Sequence, residues 1–227
     1  MRTVLVLFAL LLGTTGFTLA TGEKGNGEWN KVSEYRGIVG YTRPTPRCRI
    51  DEIKAVGMVD APLAVVEAVI RDVPAGKDYL FLCKEASLIE IPGMKNAPDD
   101  YNTYCLTDMP LPVSDRDMVA RVTWTSDKVT GTVYVHGEGL NMDYRLVPGV
   151  VRMTQVMADY TLTPKGADRT EVTYQSLADP GGNLPAWVVK LFSRNLGVKT
   201  IAGLREMAKF DRYKHALVVV TSTPQKK

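Results

Sequence analysis

Histidine is scarce in this chain. His136 and His215 are the only two in 227 residues, and neither stands in a spacing that holds a metal or serves a catalytic base. A histidine-centred site is therefore not expected. Cysteine is nearly as sparse: Cys48, Cys83 and Cys105 lack the spacing of a metal site. In an exported chain they could form one disulfide and leave one free thiol, with a pairing that the sequence does not reveal. There is no phosphate-cradling Gly-x-x-x-x-Gly-Lys loop and no Gly-x-Ser-x-Gly nucleophile elbow. Gly137-x-Gly139 lacks the third glycine of a dinucleotide fingerprint, and no cofactor is expected. A clustered basic face is missing too: 28 Lys and Arg against 25 Asp and Glu give a formal charge of +3, which argues against a nucleic-acid partner.

What is present begins with an export signature. Arg2 precedes the apolar stretch Val4 to Leu12, and small residues lead to Thr18-Leu19-Ala20. This is the pattern of a secretory signal peptide, with the mature chain beginning near Thr21. The stretch is too short to span a bilayer core of about 30 Å, so a retained anchor is the weaker reading. A soluble periplasmic or secreted protein is expected. With 45% hydrophobic and 23% charged residues, the remainder suits one globular domain. The expected organisation is a signal peptide over 1–20, a flexible spacer over 21–27, one domain over 28–215 and a tail over 216–227.

Along that domain, Trp29, Val32 and Tyr35 stand at helical spacing and predict a short amphipathic helix. Ile50 to Val59 alternates as a strand. Ala61-Pro62 opens a helix to about Arg71, with Val65, Val66, Val69 and Ile70 on its buried side. From Lys84 onward the chain reads as strands: Glu85 to Ile91, Tyr101 to Met109, a strand through Met118, Ala120, Val122 and Trp124, Thr132 to Glu138, Val151 to Leu162, and Arg169 to Leu177. Their alternation predicts an antiparallel sheet with one buried face. Pro180-Gly181-Gly182 ends the run, and a long helix follows from about Pro185 to Lys209. A curved sheet must have its apolar face covered, and that last helix is the one long element left to do so. Pattern alone does not separate an open cavity from a filled core.

Two segments carry a resemblance. Pro110-Leu111-Pro112-Val113-Ser114-Asp115-Arg116-Asp117 and Asp179-Pro180-Gly181-Gly182-Asn183-Leu184-Pro185-Ala186-Trp187 resemble signatures of the START domain family of lipid-transfer proteins. They occur in family order with Ile38 to Arg43, Lys54 to Gly57, Val59 to Pro62 and Cys83 to Ala86. The resemblance implies an α+β helix-grip fold, in which a curved antiparallel sheet wraps the C-terminal helix around an internal hydrophobic tunnel. It further implies a lipid or sterol-like ligand, transient contact with a membrane surface, and a monomer. In sterol-binding members an acidic residue and the Arg of the Arg-Asp signature pair inside the cavity, here Glu85 and Arg116. An aromatic choline cage is missing, since Ala75-Gly76-Lys77-Asp78-Tyr79 stands in its place, and Lys190 occupies a position where Asn is common.

Each candidate keeps a structural alternative. Arg116 could instead bond backbone carbonyls near its loop, and strand register could turn Glu85 to solvent. The other expected lining residues are Trp124, Met153, Tyr160, Tyr174, Val188, Phe192 and Ile201, for each of which core packing is the alternative. Gly197 and Gly203 in the last helix serve either close ligand approach or tight packing on the sheet. Three functions follow: carriage of a lipid, a cyclase-type enzyme using tunnel groups such as Glu85, Arg116, Tyr104 or Tyr160, and a ligand-dependent sensor read by a protein partner. Carriage is favoured, because the signatures concern tunnel and lid.

Overall fold

Period-two burial organises most of the described chain, residues 27–214 of the computed structural model. The expected signal peptide, most of the spacer and the expected tail lie outside the described residues. The chain opens with β1 (Asn30–Tyr35), β2 (Ile38–Arg43) and β3 (Glu52–Val59), then α1 (Leu63–Arg71), a 3-10 turn (Val73–Ala75) and the short α2 (Gly76–Tyr79). Next come β4 (Cys83–Leu88), β5 (Asp100–Thr107), β6 (Arg116–Ser126), β7 (Val133–Gly139), β8 (Val151–Arg152), β9 (Gln155–Pro164) and β10 (Thr170–Asp179). The long α3 (Ala186–Met207) and the single turn α4 (Asp211–Lys214) complete it.

The strands form one curved sheet in the order β1-β2-β3-β10-β9-β7-β6-β5-β4, with β8 alongside β6. Every pairing is antiparallel except β6 with β8. β2, β3 and β10 alternate buried and half-buried side chains, as a sheet with one core-facing side requires. Val65, Val66, Val69 and Ile70 of α1 are buried as their spacing predicted. α3 packs on β1, β2, β3, β10 and α2. A side chain at Gly197 would come within 2.6 Å of Ala55 Cβ, and one at Gly203 within 2.6 Å of the Tyr79 carbonyl oxygen. Both glycines therefore serve tight packing.

Two expectations are corrected. Trp29 to Tyr35 is not a helix: Asn30–Tyr35 is β1, an edge strand antiparallel to β2. The local signal was Arg36-Gly37, both at positive φ (51° and 71°), a two-residue hairpin loop joining paired Tyr35 and Ile38. A bulge between Lys31 and Ser33 breaks the alternation and so imitates helical spacing. Val151 to Leu162 is also not one strand. It divides at Met153-Thr154, because the Met153 N–H bonds the Asp117 carbonyl at 2.8 Å while β9 turns to pair with β7 and β10.

Candidate ligand-binding cavity

α3 lies over only part of the concave face, and the inner sides of β4 to β7 and β9 enclose a cavity of about 230 Å³ with almost wholly apolar walls. The space arises from what the strands do not carry. Ala86, Ala120, Gly137, Ala158 and Ser176 all line it, and Gly137, Ala158 and Ser176 lie on one rung across β7, β9 and β10. Interiors pack to high density, so small side chains on adjoining strands leave volume unless a facing element fills it. α3 contributes Val189, Phe192 and Leu196, and Phe81 meets Phe192 edge-on with centroids 5.7 Å apart.

Three loops meet at one end. Arg49, from the loop before β3, reaches Asp179 Oδ1 at 3.2 Å and the Gly182 carbonyl at 3.0 Å. Asp115 accepts the Met109 N–H at 2.9 Å and so closes the β5–β6 loop. Arg116 is 4% exposed; its guanidinium donates to the Pro180 carbonyl at 3.2 Å, to the Gly181 carbonyl at 3.4 Å and to the Ser114 carbonyl. Gly181, at φ +64°, turns the segment before α3 back toward that guanidinium. Asp117 points to the other face and holds the buried Arg152 at 2.8 and 3.1 Å. Arg152 in turn donates to the Met142 and Tyr144 carbonyls, both at 2.8 Å. The Arg-Asp dipeptide thus pins one loop on each side of β6.

Apart from Arg116 and Asp51, the polar side chains that line the cavity are uncharged. The Tyr160 hydroxyl is buried with no hydrogen-bond partner among the described residues, and its ring leans on Tyr174 at 4.9 Å. Burial pushes the phenols of Tyr79 and Tyr160 well up and that of Tyr174 to about 12, so all three stay protonated at neutral pH. Cys83 and Cys105 also line the wall, with sulfurs 3.6 Å apart. All three cysteines are free thiols, and Cys48 stands apart, donating to the Ala178 carbonyl at 3.2 Å.

A family model described as "START domain" matches residues 18–212. The chain belongs to the START domain family. An uncharacterized protein of Pseudomonas aeruginosa is 32% identical over 206 residues, covering 89% of this chain and 95% of that protein. Among solved structures, a STAR-related lipid transfer protein from Xanthomonas axonopodis is similar at TM-score 0.71 and 26% identity, over 80% of this chain and 99% of that one. Human StAR-related lipid transfer protein 5 shares the fold at TM-score 0.67 and 20% identity, over 80% of this chain and 86% of that one.

Within this START fold the expected site residues divide. Arg116, Met153, Tyr160, Tyr174 and Phe192 line the cavity. Glu85 does not, and the expected Glu85–Arg116 pair is not formed. Its neighbour Ala86 faces inward, so Glu85 points outward, where it pairs with Arg145 at 2.8 Å. Arg116 takes the structural alternative, bonding backbone carbonyls from a place in the cavity wall. Trp124 shares a face with Met118, Ala120 and Val122 but lies beyond the cavity; its indole N–H donates to the Tyr101 hydroxyl at 2.9 Å beneath the Arg71 guanidinium. Val188 and Ile201 are wholly buried, yet the α3 stripe at the cavity is Val189, Phe192 and Leu196, a small rotation away. Tyr104 contributes to the cavity wall, while its side chain packs with Ile89, Ile91 and Val119 on the opposite sheet face. The sequence reading missed Tyr79, Cys83, Cys105 and the small inward residues. Alternation along β5 offered a signal for Cys105, since Thr103, Cys105 and Thr107 all line the wall.

Proposed function

We propose that this chain binds a single lipid-like molecule in its cavity and carries it between membrane surfaces without transforming it. The observation that carries the reading is an apolar cavity of about 230 Å³ in a chain of this family, with the buried Tyr160 hydroxyl on its wall unpartnered among the described residues. Affinity comes mainly from removing ligand surface from water, at about 25 cal/mol per Å². Orientation comes from Tyr160, whose neutral hydroxyl suits a ligand oxygen such as that of an alcohol, ketone or ester. A general acid or base at neutral pH needs a pKa near 7, and the cavity phenols are held far above it, which favours holding over catalysis.

Exchange takes place where the three loops meet. Leu111 is 90% exposed in the β5–β6 loop, and Trp187 is 50% exposed in the first turn of α3. Both are apolar anchors for a membrane interface. The loop from Met109 to Ser114 and the start of α3 part there, releasing the Arg116 bridge to Pro180 and Gly181. The export signature of residues 2–20 supports traffic outside the cytoplasm, in the periplasm or beyond the cell.

The test is native mass spectrometry of the protein after incubation with a total lipid extract, followed by release and identification of the retained molecule. One oxygen-bearing lipid per chain is expected. A chain that retains no lipid, or converts an added one with time, overturns carriage.

A further inference from the structure

Two thiols face the same cavity from neighbouring strands. Ala86 lies opposite Cys105 in the β4–β5 register, and the register shifts between Cys83 and Glu85. Without that shift Cys83, three residues before the inward-facing Ala86, would point away from the cavity. The bulge restores it to the inner face, opposite Thr107 and one rung from Cys105. The sulfurs stand 3.6 Å apart, and closing them to a bonded distance of about 2.05 Å takes a movement of only about 1.5 Å.

The surroundings permit that movement. β4 is the outer strand of its side of the sheet, bonded to β5 alone among the described strands, so it shifts with less disruption than an inner strand. Cys83 is half-buried and Cys105 buried. The two thiols share one hydrogen bond in which either sulfur can donate; with Cys105 as donor it holds the Cys83 thiol below its ordinary value and Cys105 well above it. Cys83, the more accessible of the two, is therefore the attacking sulfur and Cys105 the resolving one.

We propose that Cys83 and Cys105 are a redox modification site, closing to a reversible cross-strand disulfide in the cavity wall when a small-molecule disulfide reaches them. The Cys83 thiolate attacks one sulfur of the oxidant RSSR and expels RS⁻, leaving a mixed disulfide. Cys105 then gives up its proton, attacks Cys83 Sγ and expels the second RS⁻. Two protein thiols and RSSR thus become one protein disulfide and two RSH. Because both sulfurs line the cavity, an occupant covers them, so ligand occupancy protects the thiols. That coupling rests on the carriage reading, whereas the disulfide does not.

The test uses the full chain carrying C48S, which leaves only this pair, treated with oxidised glutathione. Intact mass should fall by two hydrogen atoms, a peptide linking residues 83 and 105 should appear, and dithiothreitol should reverse both. In the C48S background, C105S should stop at a stable adduct of one glutathione, provided that its thermal melting shows it folded. An accumulating adduct on the C48S chain, a linked dimer, or an unchanged mass under conditions that oxidise the urea-unfolded chain would each overturn the assignment. Preloading with lipid should slow closure several-fold. Closure at an equal rate with and without lipid, with the linked peptide still formed, would keep the site and reject the occupancy coupling.

Discussion

Replacing Tyr160 by Phe removes one oxygen from the cavity wall and leaves the ring against Tyr174. That buried oxygen has no hydrogen-bond partner among the described residues, a condition that costs about 1–3 kcal/mol. Y160F should therefore stabilise the empty protein, and at about 2–4 °C per kcal/mol for a domain of this size its melting midpoint should rise by about 2–12 °C. Ligand binding should move the opposite way. If Tyr160 donates to a ligand oxygen, losing a bond of about 1–1.5 kcal/mol weakens retention roughly tenfold for an oxygenated lipid and leaves a plain hydrocarbon unaffected. Differential scanning fluorimetry of delipidated protein and competition binding with matched alcohol and alkane probes read the two effects separately. A lower melting midpoint would show that the hydroxyl is partnered in the empty state. Equal effects on the alcohol and alkane probes would show that the Tyr160 hydroxyl makes no bond to a ligand oxygen.

Other elements give equally definite expectations. Asp117→Ala strips the buried Arg152 of its carboxylate and should cost about 3–5 kcal/mol in urea unfolding; a loss below about 1 kcal/mol would deny the pair its role. Gly203→Ala gains about 1 kcal/mol of helix propensity but drives Cβ to 2.6 Å from the Tyr79 carbonyl oxygen and 2.7 Å from its Cα. Overpacking against backbone costs about 1–3 kcal/mol, so a lower melting midpoint is expected and a higher one would refute the close contact. Backbone N–H groups of Met109 and Gly181 hold Asp115 and Asp179 below their ordinary 3.8. Carboxylates held low lend stability above the unfolded value and lose it as pH falls through the folded one. Lipid exchange should therefore be steady near neutrality and accelerate below about pH 4. Asp115→Asn should already exchange faster at neutral pH and show a smaller acid step, and an exchange rate indifferent to acid would remove both carboxylates from the gate.

How much of this was legible in the sequence depends on how local each signal is. β3, α1, β6, β10 and α3 were readable because their periods are written in consecutive residues, and the segments around Asp115-Arg116-Asp117 and Asp179-Pro180-Gly181-Gly182 pointed to the START family. Facing direction was less accessible. Trp124 keeps the parity of Met118 and Ala120, yet the cavity ends before reaching it, and the α3 stripe that meets the cavity is Val189, Phe192 and Leu196. Those outcomes turn on where the sheet curves and where the helix crosses it, which depends on packing between distant segments.

Hydrophobic period and turn chemistry are properties of neighbouring residues, and from them came the class of fold, the closing helix, the family and the succession of strands apart from β1 and the break between β8 and β9. The tertiary structure alone decided that Arg116 binds carbonyls while Glu85 turns outward to Arg145, that small side chains from three strands fall on one rung and open a cavity, and that a bulge brings Cys83 to Cys105. Each of these follows from register and from the meeting of segments far apart in the chain. A single residue of slip reverses the face of every side chain beyond it, and no count made along one strand contains the position of its partner.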